Sequence, residues 1–141
     1  MLLASIRRFN PGVRSVLDYG CGDGHFVRDA TSCGLDANGT DFADRRQSNV
    51  EAVGATWIET DKIIHGEHVF DSIELLQVFE HLANPDQLLS GLGKVLAPCG
   101  VVLIETPCTN GPDDRIFGIS LWGGLHSPRQ YFIPSFVVPE D

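Results

Sequence analysis

The 141-residue sequence has few basic residues and no long apolar run. Ten Lys and Arg stand against 19 Asp and Glu, which gives a formal net charge of −9, and adjacent basic residues occur only as Arg7-Arg8 and Arg45-Arg46. Such a chain would repel nucleic acid, because binding requires phosphate charge to be offset, so we expect a small-molecule substrate and no nucleic-acid partner. No apolar run approaches the ~20 residues that span a bilayer, and we expect no membrane partner.

Cysteine is also scarce. Cys21, Cys33, Cys99 and Cys108 are the four cysteines, and none pairs at the two-residue spacing of zinc ribbons and redox motifs. The apolar start of the chain is interrupted by a basic pair within the first nine residues, which is too short for a secretory signal. We therefore expect a cytoplasmic protein with free thiols and no metal site.

Length and composition fit one globular domain: 43% of the residues are hydrophobic and 21% are charged. Apolar patterning predicts helices that alternate with strands at 13–19, up to 41, 55–59, 70–76 and 101–105. This alternation predicts an α/β fold with right-handed crossovers and a parallel sheet. The last strand is a continuous apolar run, and we expect both of its faces to be buried.

The helices carry recognisable end signals. The helix after the first strand places Cys33 on its apolar face and ends at Gly34, which is typical of a C-cap. A short helix is predicted over 43–53, and 61–68 is predicted to be irregular with one helical turn. Asn84 and Pro85 begin the best-specified helix, and its apolar stripe runs to residue 96, before the breakers at 98 and 100.

A buried strand that ends in an acidic residue is followed by three glycines at alternate positions. Residues 16–24 read Val-Leu-Asp-Tyr-Gly-Cys-Gly-Asp-Gly, and a helical pattern begins directly afterwards. Glycine brings a loop backbone close to a ligand, because a Cβ would block the ligand or the required backbone angles. A dinucleotide fingerprint needs its third glycine at the sixth position, which is His25 here, so the spacing disfavours a dinucleotide.

This loop resembles the first motif of the class I S-adenosylmethionine-dependent methyltransferases. The resemblance implies that Asp18, Gly20, Gly22 and Gly24 contact the methionine part of that cofactor. Cys21 also belongs to the implied cofactor loop, where a small side chain fits, and we interpret it as a packing residue and not as a nucleophile.

The implied cofactor site extends to the ends of three further strands. Asp41 ends the second strand, where an acid can accept hydrogen bonds from ribose hydroxyls, and the run 39–42, Gly-Thr-Asp-Phe, resembles the family's second motif and adds Phe42. The alternative for Asp41 is a cap of the next helix. Asp61 implies a contact to the adenine amino group, or else is a solvated loop carboxylate. Gln77, at the end of the fourth strand, is expected to face the cofactor.

Residues 70–82, Phe-Asp-Ser-Ile-Glu-Leu-Leu-Gln-Val-Phe-Glu-His-Leu, resemble the fourth-strand motif of the ubiquinone-biosynthesis type of methyltransferase. A leucine-rich helix, a Pro-x-Gly and an apolar strand ending in Thr-Pro follow in the family's order, so the resemblance covers about residues 13–107. It implies a Rossmann-like doubly wound, mostly parallel sheet of order 3-2-1-4-5. It also implies methyl transfer from S-adenosylmethionine to a small-molecule acceptor, with S-adenosylhomocysteine as product. The chain is expected to be one methyltransferase-like domain, comprising an extension (1–12), a cofactor-binding core (13–107) and a loop-rich tail (108–141).

Candidate catalytic and substrate residues lie beyond the strands. His81 could accept a proton from a hydroxyl or amine nucleophile, or it could order the turn before Asn84. In the tail, a Trp-x-x-x-His-x-Pro-Arg run resembles a pattern in an uncharacterised branch of the superfamily and implies substrate contacts by Trp122, His126 and Arg129, with His126 as a second candidate base. The alternative is a loop that covers the sheet edge while its arginine pairs with a surface acid.

The chain departs from the family pattern after Pro107. The family usually continues with another helix and two strands, whereas 34 residues remain here, so we expect truncated or atypical C-terminal strands. The fifth strand would then lie at an edge, which predicts a homodimer through this strand or the tail. Two alternative functions remain open: a catalytically silent module that binds S-adenosylmethionine, and an NAD-dependent oxidoreductase.

Overall fold

The computed structural model describes residues 2–43, 46–66 and 68–107, with the backbone alone at residue 64. Helices and strands alternate over this part of the chain, and a short 3-10 turn, Phe79–His81, follows the fourth strand. The elements are α1 (Leu2–Phe9), β1 (Ser15–Tyr19), α2 (His25–Ser32), β2 (Asp36–Thr40), α3 (Gln47–Ala52), β3 (Thr56–Trp57), α4 (Thr60–Ile64), β4 (Phe70–Leu76), α5 (Pro85–Val95) and β5 (Leu96–Glu105).

The five described strands form one parallel sheet in the order β3-β2-β1-β4-β5, which confirms the predicted order. Strand order reverses beside β1, because the chain moves outward to β2 and β3 and then returns to β4 on the other side. In open parallel sheets, ligands bind beyond the carboxyl ends of the strands at such a switch point. Asp18 lies there, with Gly39 of β2 and Glu74 of β4 as its register partners.

Apolar side chains cover both faces of the central strands. One core lies between the sheet and α4 and α5, and the other lies between the sheet and α1, α2 and α3. Alternate residues of β1 and β4 enter opposite cores, so both faces of these strands are buried although each strand contains at least one acidic residue. The fully buried members include Leu17, Ile63, Ile73, Leu75 and Val95 in the first core, and Ile6, Val16, Val27, Ala30 and Val50 in the second.

Several element boundaries agree with the sequence and others differ. β4 has the predicted bounds, and Gly34 (φ 77°) ends α2 as predicted, with the Leu35 N–H donating to the Ala30 carbonyl at 3.1 Å. Cys33 is exposed and not on the apolar face, because it lies one residue beyond the last helical turn. The helix predicted over 43–53 is limited to Gln47–Ala52, and the single turn expected within 61–68 is α4.

β5 differs most from the prediction. It begins at Leu96, directly after α5, and its pairing with β4 jumps from Phe70–Leu96 to Ser72–Val101. The extra residues form a bulge, which suits a proline that has no N–H to donate to the ladder. The prediction that both faces are buried is wrong, since Val102 and Ile104 are 37% and 40% exposed. In the described sheet β5 is the outermost strand, so part of its surface stays open.

None of the helices in the described ranges is long and apolar enough to cross a bilayer.

Gly20 is the point at which the loop after β1 is enclosed by its neighbours. Its N–H and that of Cys21 donate to the Thr40 carbonyl at 2.8 and 2.9 Å, which fastens the loop to the end of β2. On the other side lies Val78, which follows β4, and a Cβ at position 20 would collide with its side chain. Gly20 also has φ 83°, a conformation that favours glycine.

We expect Gly20→Ala to destabilise the protein more than Gly34→Ala does. Both residues have positive φ, but a Cβ at position 34 meets nothing within 4 Å. Gly34→Ala should therefore cost only backbone strain, about 1–2 kcal/mol. Gly20→Ala should add a further ~1–3 kcal/mol from the collision with Val78. Free energies of unfolding from urea titrations measure both, and equal losses would contradict the tight packing at Gly20.

Candidate functional site

The loops that follow β1, β2 and β4 meet at the carboxyl edge of the sheet. In the first loop, Gly24 donates its N–H to the Cys21 carbonyl at 2.8 Å and closes a turn just before α2. Gly22 lies at the crest of this turn with φ 52°, and a Cβ there would meet nothing within 4 Å. The backbone at Gly22 is therefore open to a ligand, whereas the backbone at Gly20 is enclosed by protein.

Cys21 contributes only its backbone to this loop. Its side chain is buried and packs with Val27 and Val50 over Gly39, where the strand has no side chain of its own. Burial, followed by the negative charges of Asp18 and Asp41, raises the pKa of the Cys21 thiol to about 12. The thiol thus stays protonated, which agrees with a packing role. This geometry argues against a cofactor contact through the Cys21 side chain.

Asp41 ties the first loop to the second. Its Oδ2 accepts the Gly22 N–H at 2.9 Å, and its Oδ1 accepts the Ala43 N–H at 3.2 Å. It does not cap α3, whose N-cap is Arg46, so the alternative of a helix cap gives way to a local turn. Each carboxylate oxygen has further lone-pair capacity. Asp41 can therefore still accept hydrogen bonds from a ligand beside Gly22.

Asp18 is the buried charge of the site. It is the penultimate residue of β1 with 2% of its surface exposed, and its Oδ1 has no hydrogen-bond partner among the described residues. Burial, followed by the negative charge of Asp41, raises the pKa of the Asp18 carboxyl to about 7. A buried carboxylate oxygen without a partner is costly. This position therefore suits a cationic group or a hydrogen-bond donor.

Phe42 stands between two clefts along the same edge. Its ring is 70% exposed and packs edge-to-face on Tyr19, with ring centroids 6.0 Å apart. A cleft of about 450 Å³ on one side is lined by Asp41, Phe42, Gln47, Trp57, Glu59, Thr60 and Asp61. A cleft of about 230 Å³ on the other side is lined by Tyr19, Phe42, Leu82, Asn84, Gln87 and Leu88. The first cleft is acidic and the second is mainly apolar.

The acidic cleft brings together two residues that the sequence singled out separately, Asp41 and Asp61. Asp61 lies in the first turn of α4, is exposed, and accepts the N–H of Lys62 at 3.0 Å, which also fits a solvated carboxylate. Thr60 was not anticipated. Its hydroxyl lies 2.9 Å from that of Thr40 and links α4 to the end of β2. No local sequence pattern predicts this pair, because its members lie in separate elements.

Gln77 and Glu80 shape the segment after β4. Gln77 has φ 58°, which is rare for a residue other than glycine, and its N–H donates to the Glu105 carbonyl at 2.7 Å. Such strain persists only where the surrounding structure enforces it.

Glu80 is 1% exposed and accepts the Thr106 hydroxyl at 2.9 Å, while His81 Nε2 lies 3.8 Å from its other oxygen. Glu80 thus anchors the turn to the end of β5, which favours a structural role for the Glu-His pair.

A family model described as a methyltransferase domain matches residues 2–134. The chain belongs to this methyltransferase-domain family. Among curated proteins, none matches it significantly.

Solved methyltransferase structures share its fold. An S-adenosylmethionine-dependent methyltransferase from Archaeoglobus fulgidus matches with a TM-score of 0.61 and 26% identity over 82% of this chain and 56% of that one. A TehB-like S-adenosylmethionine-dependent methyltransferase from Corynebacterium glutamicum matches with a TM-score of 0.60 and 25% identity, over 70% of this chain and 58% of that one. CalS10 from Micromonospora echinaspora is an amino pentose methyltransferase with bound S-adenosylmethionine. It matches with a TM-score of 0.63 and 21% identity, over 74% of this chain and 47% of that one. The chain thus spans about half the length of these structures.

Sequence reasoning missed one buried acid of this methyltransferase domain, Glu74. It lies in β4 beside Asp18, is fully buried, and receives the Ser72 hydroxyl on Oε1, while Oε2 has no partner in the described part of the chain. Burial, and in smaller part Asp18, raises the pKa of the Glu74 carboxyl to about 8, although the Ser72 hydrogen bond lowers it. The signal was an acid inside the apolar run Ile73-Glu74-Leu75.

The predicted substrate residues Trp122, His126 and Arg129 lie outside the described residues, as does the whole tail from 108 onward.

The raised pKa values predict that the ligand-free domain becomes less stable as pH rises. A carboxyl whose folded pKa exceeds its unfolded value stabilises the fold fully below the unfolded pKa, and this contribution is lost as pH rises through the folded pKa. For Asp18 and Glu74 the folded values are about 7 and about 8. We expect the free energy of unfolding to fall by a few kcal/mol between about pH 4 and about pH 8.

The matched variants for this experiment are Asp18→Asn and Glu74→Gln, each of which should flatten the fall, because neither side chain can ionise. Asp29→Asn, at an exposed carboxylate on α2, should keep the wild-type slope. Urea titrations across the pH range give the free energies, and a wild-type stability that rises over this range would contradict the assignment.

Proposed function

We propose that this chain binds S-adenosylmethionine and transfers its methyl group to a small-molecule acceptor. The observation that carries the proposal is the buried Oδ1 of Asp18, which has no partner in the described part of the chain, beside the open backbone of Gly22 and the carboxylate of Asp41. Membership of the methyltransferase-domain family and the likeness to S-adenosylmethionine-dependent enzymes support it.

The residues present fit this cofactor along its length. The Asp18 carboxylate suits the ammonium group of the methionine part, because that group supplies the positive charge that a buried carboxylate lacks. Asp41 retains acceptor capacity for ribose hydroxyls next to Gly22, and Asp61 lies further along the same cleft for the adenine. The acidic lining also attracts the net positive charge of a sulfonium cofactor.

The cofactor, when bound, supplies an electrophilic methyl group on a sulfonium, so the protein has mainly to align the acceptor with it. We assign the apolar cleft beside Phe42 to the acceptor, because Tyr19, Leu82 and Leu88 can exclude water there. Its volume of about 230 Å³ suits a small acceptor, or one part of a larger molecule. Our candidate bases remain His81, which directly precedes Leu82 of this cleft, and His126, with Trp122 and Arg129 as candidate substrate contacts.

We further propose membership of the ubiquinone-biosynthesis type. The Phe-Asp that opens the fourth-strand motif has a defined task in this chain: Asp71 Oδ2 accepts the N–H groups of Arg14 and Ser15 at 2.8 and 3.0 Å and fastens the start of β1 to β4. These backbone hydrogen bonds hold the pKa of Asp71 below its usual value. The Glu-His-Leu at the other end of the motif fastens the turn to β5 through Glu80 and Thr106.

The remaining partner and location hypotheses are proposals of the same kind. The net charge of −9 supports a small-molecule acceptor over nucleic acid, and a single cytoplasmic domain over residues 1–141 remains our working hypothesis. The predicted homodimer is supported by an apolar groove of about 310 Å³ along β5, lined by Ile6, Phe9, Val101, Val102 and Leu103. A monodisperse monomer in light scattering at high protein concentration would contradict a dimer.

Titration calorimetry with S-adenosylmethionine, S-adenosylhomocysteine and NAD tests the proposal directly. We expect the first two ligands to bind and NAD not to bind, because the glycine spacing leaves no pyrophosphate cradle. Binding of NAD alone would favour the oxidoreductase. Binding of S-adenosylmethionine without turnover across a panel of small hydroxyl, amine and carbon acceptors would favour the silent binding module.

Asp41→Ala should weaken binding of S-adenosylhomocysteine by about 1–3 kcal/mol, because it removes the acceptor for ribose hydroxyls and releases the Gly22 N–H. Asp41→Asn, which keeps an acceptor oxygen, should lose less. The matched control is Asp36→Ala, at the exposed opposite end of β2, which should bind as the wild type does. Unchanged affinity in Asp41→Ala would remove Asp41 from the cofactor site.

A further inference from the structure

Two buried carboxyl groups face each other across β1 and β4. Asp18 and Glu74 are register partners on adjacent strands, and both side chains point to the face opposite Leu17, Ile73 and Leu75. They are 2% and 0% exposed. Each leaves one oxygen without a partner in the described structure, Oδ1 of Asp18 and Oε2 of Glu74. The two oxygens without a described partner therefore belong to neighbouring side chains.

Among the described residues, no side chain or backbone group donates a hydrogen bond to either of these oxygens. Asp41 follows β2 and is also acidic, while the Cys21 thiol is packed away in the core. The positive charge of Arg46, before α3, lowers the pKa of the Cys21 thiol. Among the described residues, α1 and α2 contribute apolar side chains to this core, and Leu103 of β5 lies opposite Glu74 in register. Two negative charges on neighbouring strands in an apolar core would repel each other, and this repulsion favours a state in which one of the two carboxyls keeps its proton.

We propose that Glu74 is a positioning residue: it keeps its proton, donates it to Asp18 Oδ1, and so maintains a single negative charge at the end of β1 for the ammonium group of the cofactor. Only the identity of the ligand in this inference rests on the proposed function. One proton then satisfies both partnerless oxygens, and the Ser72 hydroxyl satisfies Oε1 of Glu74.

The raised pKa values of both groups support this assignment. Burial and Asp18 raise the pKa of Glu74 to about 8, whereas burial and Asp41 raise the pKa of Asp18 to about 7. Each carboxyl therefore keeps its proton to a higher pH than a free carboxyl does, so Glu74 can hold the proton that it donates to Asp18. A hydrogen bond to the charged form favours that form. Without the donor, Asp18 would be a desolvated carboxyl that tends to stay neutral and offers the ammonium group no charge.

Two ligands separate this effect from general damage. S-adenosylhomocysteine carries the ammonium group, whereas 5′-methylthioadenosine has the adenosine and sulfur but lacks the amino-acid part. Both are titrated by calorimetry into wild type, Glu74→Gln and Glu74→Leu between about pH 5 and about pH 8. Glutamine can still donate to Asp18, whereas leucine has a similar volume and cannot.

We expect Glu74→Gln to bind S-adenosylhomocysteine within about twofold of wild type. Glu74→Leu should bind it about tenfold more weakly at neutral pH, and the midpoint of its pH dependence should move up by about one unit, because Asp18 then ionises later. All three proteins should bind 5′-methylthioadenosine equally. Wild-type affinity and pH dependence in Glu74→Leu would overturn the proposal, as would equal weakening of both ligands or an equal loss in Glu74→Gln.

A ligand-free measurement keeps this inference separate from the proposed function. The infrared difference between wild type and Glu74→Gln at neutral pH should contain the carbonyl stretch of a protonated carboxylic acid. Its absence would overturn the proposal whether or not the protein binds S-adenosylhomocysteine. If the band is present and wild type binds neither ligand, Glu74 holds the proton as proposed and the proposed cofactor is wrong.

Discussion

The close approach of Val78 to Gly20 is the contact on which the rest of the site depends. It presses the loop after β1 against the segment after β4, while two N–H groups of the same loop bond the Thr40 carbonyl at the end of β2. Three strand ends are thereby held at one point. Gln77 adopts a strained φ of 58° directly before Val78, and its N–H reaches the Glu105 carbonyl, so the fourth and fifth strands enter the same cluster. Backbone strain at this position fits a site whose geometry is enforced by its surroundings.

This geometry gathers acidic groups where burial is expensive. The negative charge of Asp41 raises the pKa of Asp18 and that of Asp18 raises the pKa of Glu74, while burial is the largest contribution to both raised pKa values. A sequence selected for stability alone would place apolar residues at such positions. Stability is given up at a ligand site when the ligand supplies what the fold lacks, here a positive charge. The same groups therefore weaken the empty domain and favour a cationic ligand.

The sequence was informative where a single residue has one physical use. Gly34 ends α2 because its φ of 77° favours glycine, and β4 has its predicted bounds because its apolar residues pack into the cores on both faces of the sheet. It was less informative where the outcome depends on residues distant in the chain. The bulge in β5 arises from pairing with β4, and the bond between Glu80 and Thr106 joins residues from separate elements. Glu74 was visible as an acid in an apolar strand, but its meaning depends on its alignment with Asp18.

The two clefts beside Phe42 are lined mainly by different segments of the chain. The acidic cleft is built from residues between Asp41 and Asp61, on the β2 side of the switch point. The apolar cleft takes Leu82 and Leu88 from the turn and helix after β4 and Tyr19 from the end of β1, and it shares Phe42 with the acidic cleft. Methyl transfer requires alignment more than it requires particular reacting side chains. If the apolar cleft takes the acceptor as proposed, its side chains can change, and with them the acceptor, without disturbing the carboxylates that would hold the cofactor.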